Sequence, residues 1–298
     1  PAQLSPYEEL APQFVEEMHG LARGTGLTFD EIALLNVRDE LMPVQAQGVE
    51  ACTSFGCAGP LTRAGRALLG QTKDTSPVSE ELYIVLSLYQ KGRPDLLQLA
   101  YAGELGVFGL SAAGMSVFGN SIFVSGPATG RLPWSLFRRL ALEAASVEEV
   151  IGLVASHGVR TVGSLTVGDS SQRVVAIEVT DRGVGIVEAE QGILVHANHI
   201  CTPALVDSER YPDPERSRSL ARQARLRDLL GAERGRLAAP LAMCALSDHA
   251  NYPGSICRHS QGPGDIRTTA AIVVEPHSAL MHVVRGQPCQ NWASTHAL

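Results

Sequence analysis

A thiol followed at once by two hydroxyl residues opens the run Cys52-Thr53-Ser54-Phe55, and a thiol is a strong nucleophile once it has lost its proton. Its ordinary pKa of about 8.5 means that it needs a base. The polar approach through Gln45, Gln47 and Glu50 suits an accessible loop leading into a strand. Three further groups bear polar side chains: Gly70-Gln71-Thr72-Lys73-Asp74, His196-Ala197-Asn198-His199 and Ser255-Ile256-Cys257-Arg258-His259. Each has a plainer reading. A cysteine on a strand is usually buried and inert, Asp74 precedes a Ser76-Pro77 turn, and Arg258 can be a surface group. His196 and His199, three apart on a strand-like run, point to opposite faces, which argues for local packing over metal binding.

The intervening segments must bring these groups together. Residues 8–23 place Leu10, Phe14, Met18 and Leu21 at helical spacing, closed by Gly24 and Gly26. Thr28 and Glu31 form a capping box for a helix reaching Leu41, which Pro43 ends. Arg38 and Glu40 on it are two apart and cannot share a face, so they read as solvated charges. Strands follow at 66–71, 82–89 and 96–101. The glycines of 103–119 mark turns and close strand approach, since no G-x-G-x-x-G opens a helix there. Helices at 133–145 and 146–157 precede strands at 161–167, 173–179, 185–188 and 193–197. A long helix runs from Asp213-Pro214-Glu215 to Gly231, and Arg216, Arg218, Arg222, Arg225 and Arg227 read as its solvated face. A short helix at 238–246 and strands at 268–274 and 280–284 complete the chain. Blocks of strands and helices in this order suit sheets packed on one another with helices outside.

The 298 residues carry 24 Lys and Arg against 31 Asp and Glu, a net charge of −7 with basic residues scattered, which excludes a nucleic-acid surface. No apolar run is long enough to cross a bilayer, so no membrane partner is expected. Six cysteines in a chain of this length make no disulfide framework, and their spacing fits no zinc pattern. Cys201, Cys244 and Cys289 read as small buried hydrophobes in a cytoplasmic, reducing setting. Neither cofactor nor metal is expected.

Five segments in order carry a resemblance to a known family: Asn36 to Glu40, the Cys52 block with Gly70 to Asp74, His196 to His199, Asp248 to His259, and Thr268-Thr269 through Gly286-Gln287-Pro288-Cys289. The chain resembles the acyl-coenzyme A:6-aminopenicillanate acyltransferase family (peptidase C45) of self-cleaving N-terminal-nucleophile hydrolases. The resemblance implies an α+β fold, a four-layer α/β/β/α sandwich of two mostly antiparallel sheets. It also implies that Cys52 cuts the Ala51–Cys52 bond through a thioester, freeing an α-amine of pKa about 7.7–8.0 to act as its base. A helical segment 1–51 would then stay docked on the catalytic unit 52–298. Asp74 would support the amine, Asn198 would donate to the oxyanion, and Arg258 would hold a carboxylate or orient the nucleophile's surroundings. The implied partners are a small acyl substrate, an acyl-CoA or an amine acceptor, and a homo-oligomer is compatible with all of this.

The chain departs from the family pattern at Thr72, Lys73 and Thr75, where an aromatic wall is lost and a charge gained, and at Ser111 and Ala51. Phe55, Thr72, Lys73, Ser111 and Cys257 are the expected pocket residues. Two other readings remain open: a thiol enzyme of the same fold that is never cut, and a binding protein that has lost its chemistry. A serine hydrolase is disfavoured, since Gly109-Leu110-Ser111-Ala112-Ala113 is no nucleophile elbow.

Overall fold

A computed structural model describes residues 4–41, 51–106, 108–262 and 265–298. The polar approach at 45–50, expected to be a loop, lies outside the described residues. The first sheet has strand order β10-β1-β2-β11-β12-β13, from β1 (Ala51–Cys57), β2 (Leu68–Thr75), β10 (Ile193–His196), β11 (Arg267–Glu275), β12 (Leu280–Arg285) and β13 (Ser294–Ala297). The second runs in sequence order through β3 (Tyr83–Leu88), β4 (Leu96–Tyr101), β5 (Phe108–Ser111), β6 (Ser116–Asn120), β7 (Gly163–Gly168), β8 (Val174–Thr180) and β9 (Gly183–Glu188). Every ladder is antiparallel.

Three apolar layers show how the sheets stack. Leu69, Leu97, Leu110, Phe118, Val174 and Ile272 pack between the two sheets. The outer face of the second sheet is covered by α1 (Ser5–Leu10), α2 (Pro12–Thr25), α3 (Phe29–Leu41), α5 (Trp134–Glu143) and α6 (Val147–His157), through residues such as Phe14, Ile32, Phe137 and Val150. The outer face of the first is covered by α7 (Glu215–Ala232) and α8 (Ala239–Leu246), through Leu226, Leu230 and Ala242. A one-turn α4 (Ser79–Leu82) links β2 to β3. The architecture is the expected α/β/β/α sandwich.

Local chemistry explains most boundaries. Thr28 and Glu31 cap each other's backbone amides, at 2.7 and 3.3 Å. The helix expected over 8–23 is two, because Pro12 lacks the N–H needed to continue from α1 and instead starts α2. Gly70, opposite Phe55, has room for no side chain: a Cβ there would lie 2.6 Å from the Phe55 ring and 2.5 Å from the Ile272 carbonyl oxygen. Gln71 ties the sheets together, donating to Gly119 O at 2.6 Å and accepting from Gly119 N at 3.1 Å.

Arg38 and Glu40 on α3 are paired charges rather than solvated ones. Arg38 pairs with buried Glu104, and Glu40 accepts from Trp134 N at 2.6 Å and Thr161 Oγ1 at 2.5 Å. The buried Asn36 side chain accepts from Leu105 N at 2.9 Å and donates to Ile32 O. Together they clamp the helix against the main body.

Candidate active site

Cys52 is the second residue of β1, fully buried, directly opposite Lys73 on β2. Side chains alternate along a strand, so Cys52, Ser54, Lys73 and Gln71 share the face turned to the second sheet. There Ser54 Oγ donates to Asn120 Oδ1 at 2.6 Å. Thr53 and Phe55, with Asp74 and Thr72, face the α7 side.

Asn198 follows the end of β10 and reaches the main chain of Cys52. Its Oδ1 accepts from Cys52 N at 3.1 Å and from Arg222 Nη2 at 2.8 Å, while its Nδ2 donates to Ser121 O at 2.9 Å. Two donors on one side and a carbonyl on the other fix the orientation of the amide. Arg222 donates through Nη1 to Cys52 O at 2.7 Å and to Thr53 Oγ1 at 2.6 Å. Asn198 and Arg222 therefore grip Cys52 by its nitrogen and its carbonyl. On the next turn of α7, Ser219 Oγ accepts from Asn198 N and bonds His199 Nδ1, both at 2.8 Å.

A second chain of contacts approaches from β2 and β11. Asp74 lies opposite both Ala51 and Thr268. Thr268 Oγ1 donates to Asp74 Oδ1 at 2.7 Å and accepts from Arg258 N at 2.8 Å. Arg258 Nη1 lies 3.6 Å from Glu215 Oε2. Burial pushes the Asp74 carboxyl up, against the pull of the Arg222 and Arg258 guanidiniums. Burial likewise pulls the Arg222 guanidinium down, with Asp74 opposing. Tyr211, whose buried hydroxyl has no hydrogen-bond partner among the described residues, feels the same two arginines and Cys52. Burial pushes it up to about 12, so it stays a neutral donor.

Of the expected residues, Asn198 thus touches the Cys52 main chain, while Asp74 and Arg258 are joined to each other through Thr268 beside Ala51. Several expected pocket residues lie outside this arrangement. Phe55 is core, packed with Leu226 and Ile256 on the face away from Cys52. Ser111 sits at the end of β5 remote from Lys73, next to the Met115 turn. The Cys257 thiol lies 3.6 Å from the Cys289 sulfur. Thr72 is buried with its hydroxyl unpaired among the described residues.

Arg222 is the largest correction. It belongs to no solvated face: it is 1% exposed, on the α7 stripe with Ser219, Leu226 and Leu230. That i, i+4, i+8 spacing from Arg222 to Leu230 was available in the sequence. The other four arginines do lie outward, in pairs with Glu209, Glu215, Asp248 and Glu190. His196 and His199 do not point apart, because the strand ends at His196. Their rings stack at 6.4 Å. His196 Nε2 bonds Glu178 Oε1 at 2.7 Å, and half-buried Cys201 lies 3.7 Å from His199 Nε2. Cys244 and Cys289 are exposed rather than buried.

Residues 61–290 match the family described as acyl-coenzyme A:6-aminopenicillanic acid acyl-transferase, a region that begins just after the Cys52 strand. The chain belongs to this family. It is 28% identical over 282 residues to the 40 kDa form of acyl-coenzyme A:6-aminopenicillanic-acid-acyltransferase from Emericella nidulans, covering 93% of this chain and 76% of that one. In fold it is similar to the C2A mutant of conjugated bile acid hydrolase from Clostridium perfringens, with a TM-score of 0.57 and 12% identity, covering 82% of this chain and 97% of that one. It is also similar to an N-acylethanolamine-hydrolyzing acid amidase ortholog from Caenorhabditis elegans, with a TM-score of 0.54 and 16% identity, over 76% and 93% of the two chains. These are N-terminal-nucleophile hydrolase folds. As a member of the acyltransferase family, the chain is an enzyme of the class that transfers or hydrolyses acyl groups at C–N bonds.

The second sheet brings an aromatic ring to Lys73. Phe108 lies under Lys73, whose Nζ is 5.1 Å from the ring centroid, and Arg138 lies 5.7 Å from the same ring. Two cations close to one aromatic ring give this site a character unlike a purely apolar acyl pocket.

Proposed function

We propose that the enzyme is a self-processing cysteine amidohydrolase or acyltransferase whose nucleophile is Cys52. The thiol attacks the Ala51 carbonyl carbon, the C–N bond breaks, and the Cys52 nitrogen leaves as an amine. Water then hydrolyses the thioester, releasing the Ala51 carboxylate and restoring the thiol. In turnover the same thiol takes an acyl group from a small amide or thioester, with the α-amine receiving its proton.

The observation that carries this reading is the grip of Asn198 and Arg222 on Cys52. Asn198 Oδ1 accepts from the very nitrogen that cleavage turns into the α-amine. The role we assign to Asn198 is to hold that nitrogen through Oδ1, while one N–H of its Nδ2 is bound to Ser121 O and the second is left for an oxyanion. Arg222 and Arg258 supply positive charge, and Tyr211 an unspent hydroxyl, for charge developing at the attacked carbonyl. Asp74 balances the two arginines. Lys73, on the same face as Cys52, favours an acyl donor or acceptor bearing an anionic group.

The test is the intact mass of purified wild type and Cys52→Ala under denaturing conditions. Two fragments beginning at Pro1 and Cys52 in wild type, and one inactive chain in the variant, are expected. Uncut wild type that still shows thiol-dependent amidase activity would remove the amine from the mechanism.

A further inference from the structure

Four side chains that the acyl chemistry does not use converge at the surface end of the loop preceding β11. His249 Nε2 and His259 Nε2 are 3.0 Å apart, and Cys257 Sγ and Cys289 Sγ are 3.6 Å apart. His259 Nε2 lies 3.4 Å from Cys289 Sγ and 3.9 Å from Cys257 Sγ. All four atoms fall within 4.8 Å of one another.

We propose that His249, Cys257, His259 and Cys289 bind one zinc ion in a closed Cys2His2 site. With zinc–sulfur bonds near 2.3 Å and zinc–nitrogen bonds near 2.0–2.1 Å, a tetrahedron has edges of about 3.3–3.8 Å between its ligand atoms. The four measured separations straddle that range. Two thiols and two imidazoles are the donor set that selects zinc over the oxygen-seeking cations. Binding replaces the two thiol protons, which pass to solvent, and two thiolates with two neutral imidazoles then balance the dication. Hydrogen bonding alone explains the cluster poorly. A neutral imidazole has one N–H, and His259 Nε2 meets three other donor atoms at once. A Cys257–Cys289 disulfide would need the sulfurs to close to about 2.05 Å and would leave both histidines without a purpose there.

Four protein ligands fill the shell, so the ion is structural and offers no position to substrate or water. Its place in the fold says what it does. His249, Cys257 and His259 come from the loop between α8 and β11, where Cys257 N bonds Asp248 O at 3.0 Å. Cys289 comes from the turn after β12, where Gln290 N bonds Gln287 O at 3.1 Å. Zinc would join these two segments at the shared end of the neighbouring strands β11 and β12. Arg258 sits between two of the ligands, and its N–H is the one bound to Thr268 beside Asp74. The ion is therefore a positioning element for Arg258. Sequence inspection passes over it because His-x7-Cys-x-His-x29-Cys is no finger-like spacing; the fold makes the site.

The proposal does not depend on Cys52 chemistry, and its test reads metal directly. Full-length protein purified under reducing conditions without chelator, then offered zinc and dialysed, should hold about one zinc per chain by elemental mass spectrometry. Cys289→Ser and His249→Gln, both at exposed positions that tolerate change, should each lose most of it. Cobalt exchanged into wild type should give the intense visible bands and sulfur charge transfer of a tetrahedral two-thiolate site, absent in Cys289→Ser. Chelation should lower the melting temperature of wild type and leave that of Cys289→Ser unchanged. A wild-type chain that takes up neither metal overturns the proposal, as does zinc retained in both variants or a Cys257–Cys289 disulfide persisting in reductant.

Discussion

Asn198 holds the main-chain nitrogen of Cys52 through its amide oxygen, at 3.1 Å, across 146 residues of chain. Removing that oxygen leaves two buried donors, Cys52 N and Arg222 Nη2, without their acceptor. Asn198→Ala should therefore lower stability by about 1–3 kcal/mol in denaturant titrations. Turnover and self-cleavage should fall on the order of 10²-fold, the scale of a misplaced reacting group. Asn198→Asp keeps an acceptor for both donors and should recover part of the loss. If Asp is as poor as Ala, the amide N–H is what matters and Asn198 is an oxyanion donor after all.

Arg222 touches Cys52, Thr53 and Asn198 and faces Asp74 in a dry interior. Arg222→Met would strand Asp74 with less positive charge and should cost about 3–5 kcal/mol, the scale of breaking a buried ion pair from one side. Arg227→Met, on the same helix but in an exposed pair with Glu190, should stay within about 0.5 kcal/mol of wild type. Equal losses at the two positions would mean that α7 itself, rather than the buried guanidinium, is what the substitutions disturb.

The contrast between these two arginines shows what was legible in the sequence. Periodicity found α7 and most strands, including β4 over Leu96–Tyr101, because burial of one face imposes a pattern on neighbours in the chain. Capping at Thr28 and Glu31 was legible for the same reason, being complete within four residues. The spacing put Arg222 on the apolar stripe of α7, but arginine is normally a surface residue and its partners, up to 170 residues away, were not legible. β13, with Ser294, Thr295 and His296, escaped because an exposed edge strand carries no apolar alternation. The grouping of Asp74, Asn198 and Arg258 was reached by resemblance. Their contact through Thr268 and Arg222 belongs to the fold alone.

Cys201 should be the thiol that alkylates first at mildly acidic pH. Burial pushes its pKa up, but hydrogen bonds from His196 and His199 outweigh this and bring it down to about 6. Gln223 Nε2, donating at 3.2 Å, supports the thiolate further. Cys57, by contrast, is pushed up to about 12 by burial and should not react. Peptide mapping after brief iodoacetamide treatment at pH 6.5 should find the adduct on Cys201, and its labelling rate should rise with a midpoint near pH 6. No adduct there below pH 8 would refute the thiolate. Thiol-blocking agents consequently cannot identify Cys52 as the nucleophile unless Cys201→Ser is tested beside it.

The same thiol gives stability a pH dependence whose sign can be worked out. A cysteine whose folded pKa is depressed to about 6 contributes stability that is complete above its unfolded value of about 8.5 and lost as the pH falls through 6. His196 runs the other way. Burial pulls it down, but hydrogen bonds to Cys201 and Glu178 win and raise it to about 10, so its contribution is complete below about 6.5 and lost as the pH rises through 10. Between pH 6.5 and 8.5 the two slopes oppose each other. Wild-type urea midpoints should accordingly change little across that interval, and those of Cys201→Ser should fall to the extent that Glu178 alone keeps folded His196 protonated while the unfolded histidine loses its proton. The gap between the two proteins should widen from pH 6 to pH 8.5 by on the order of a few kcal/mol, then level off. A gap that is constant with pH would mean that Cys201 is a neutral thiol in the folded protein, and that Glu178 alone holds the charge on His196.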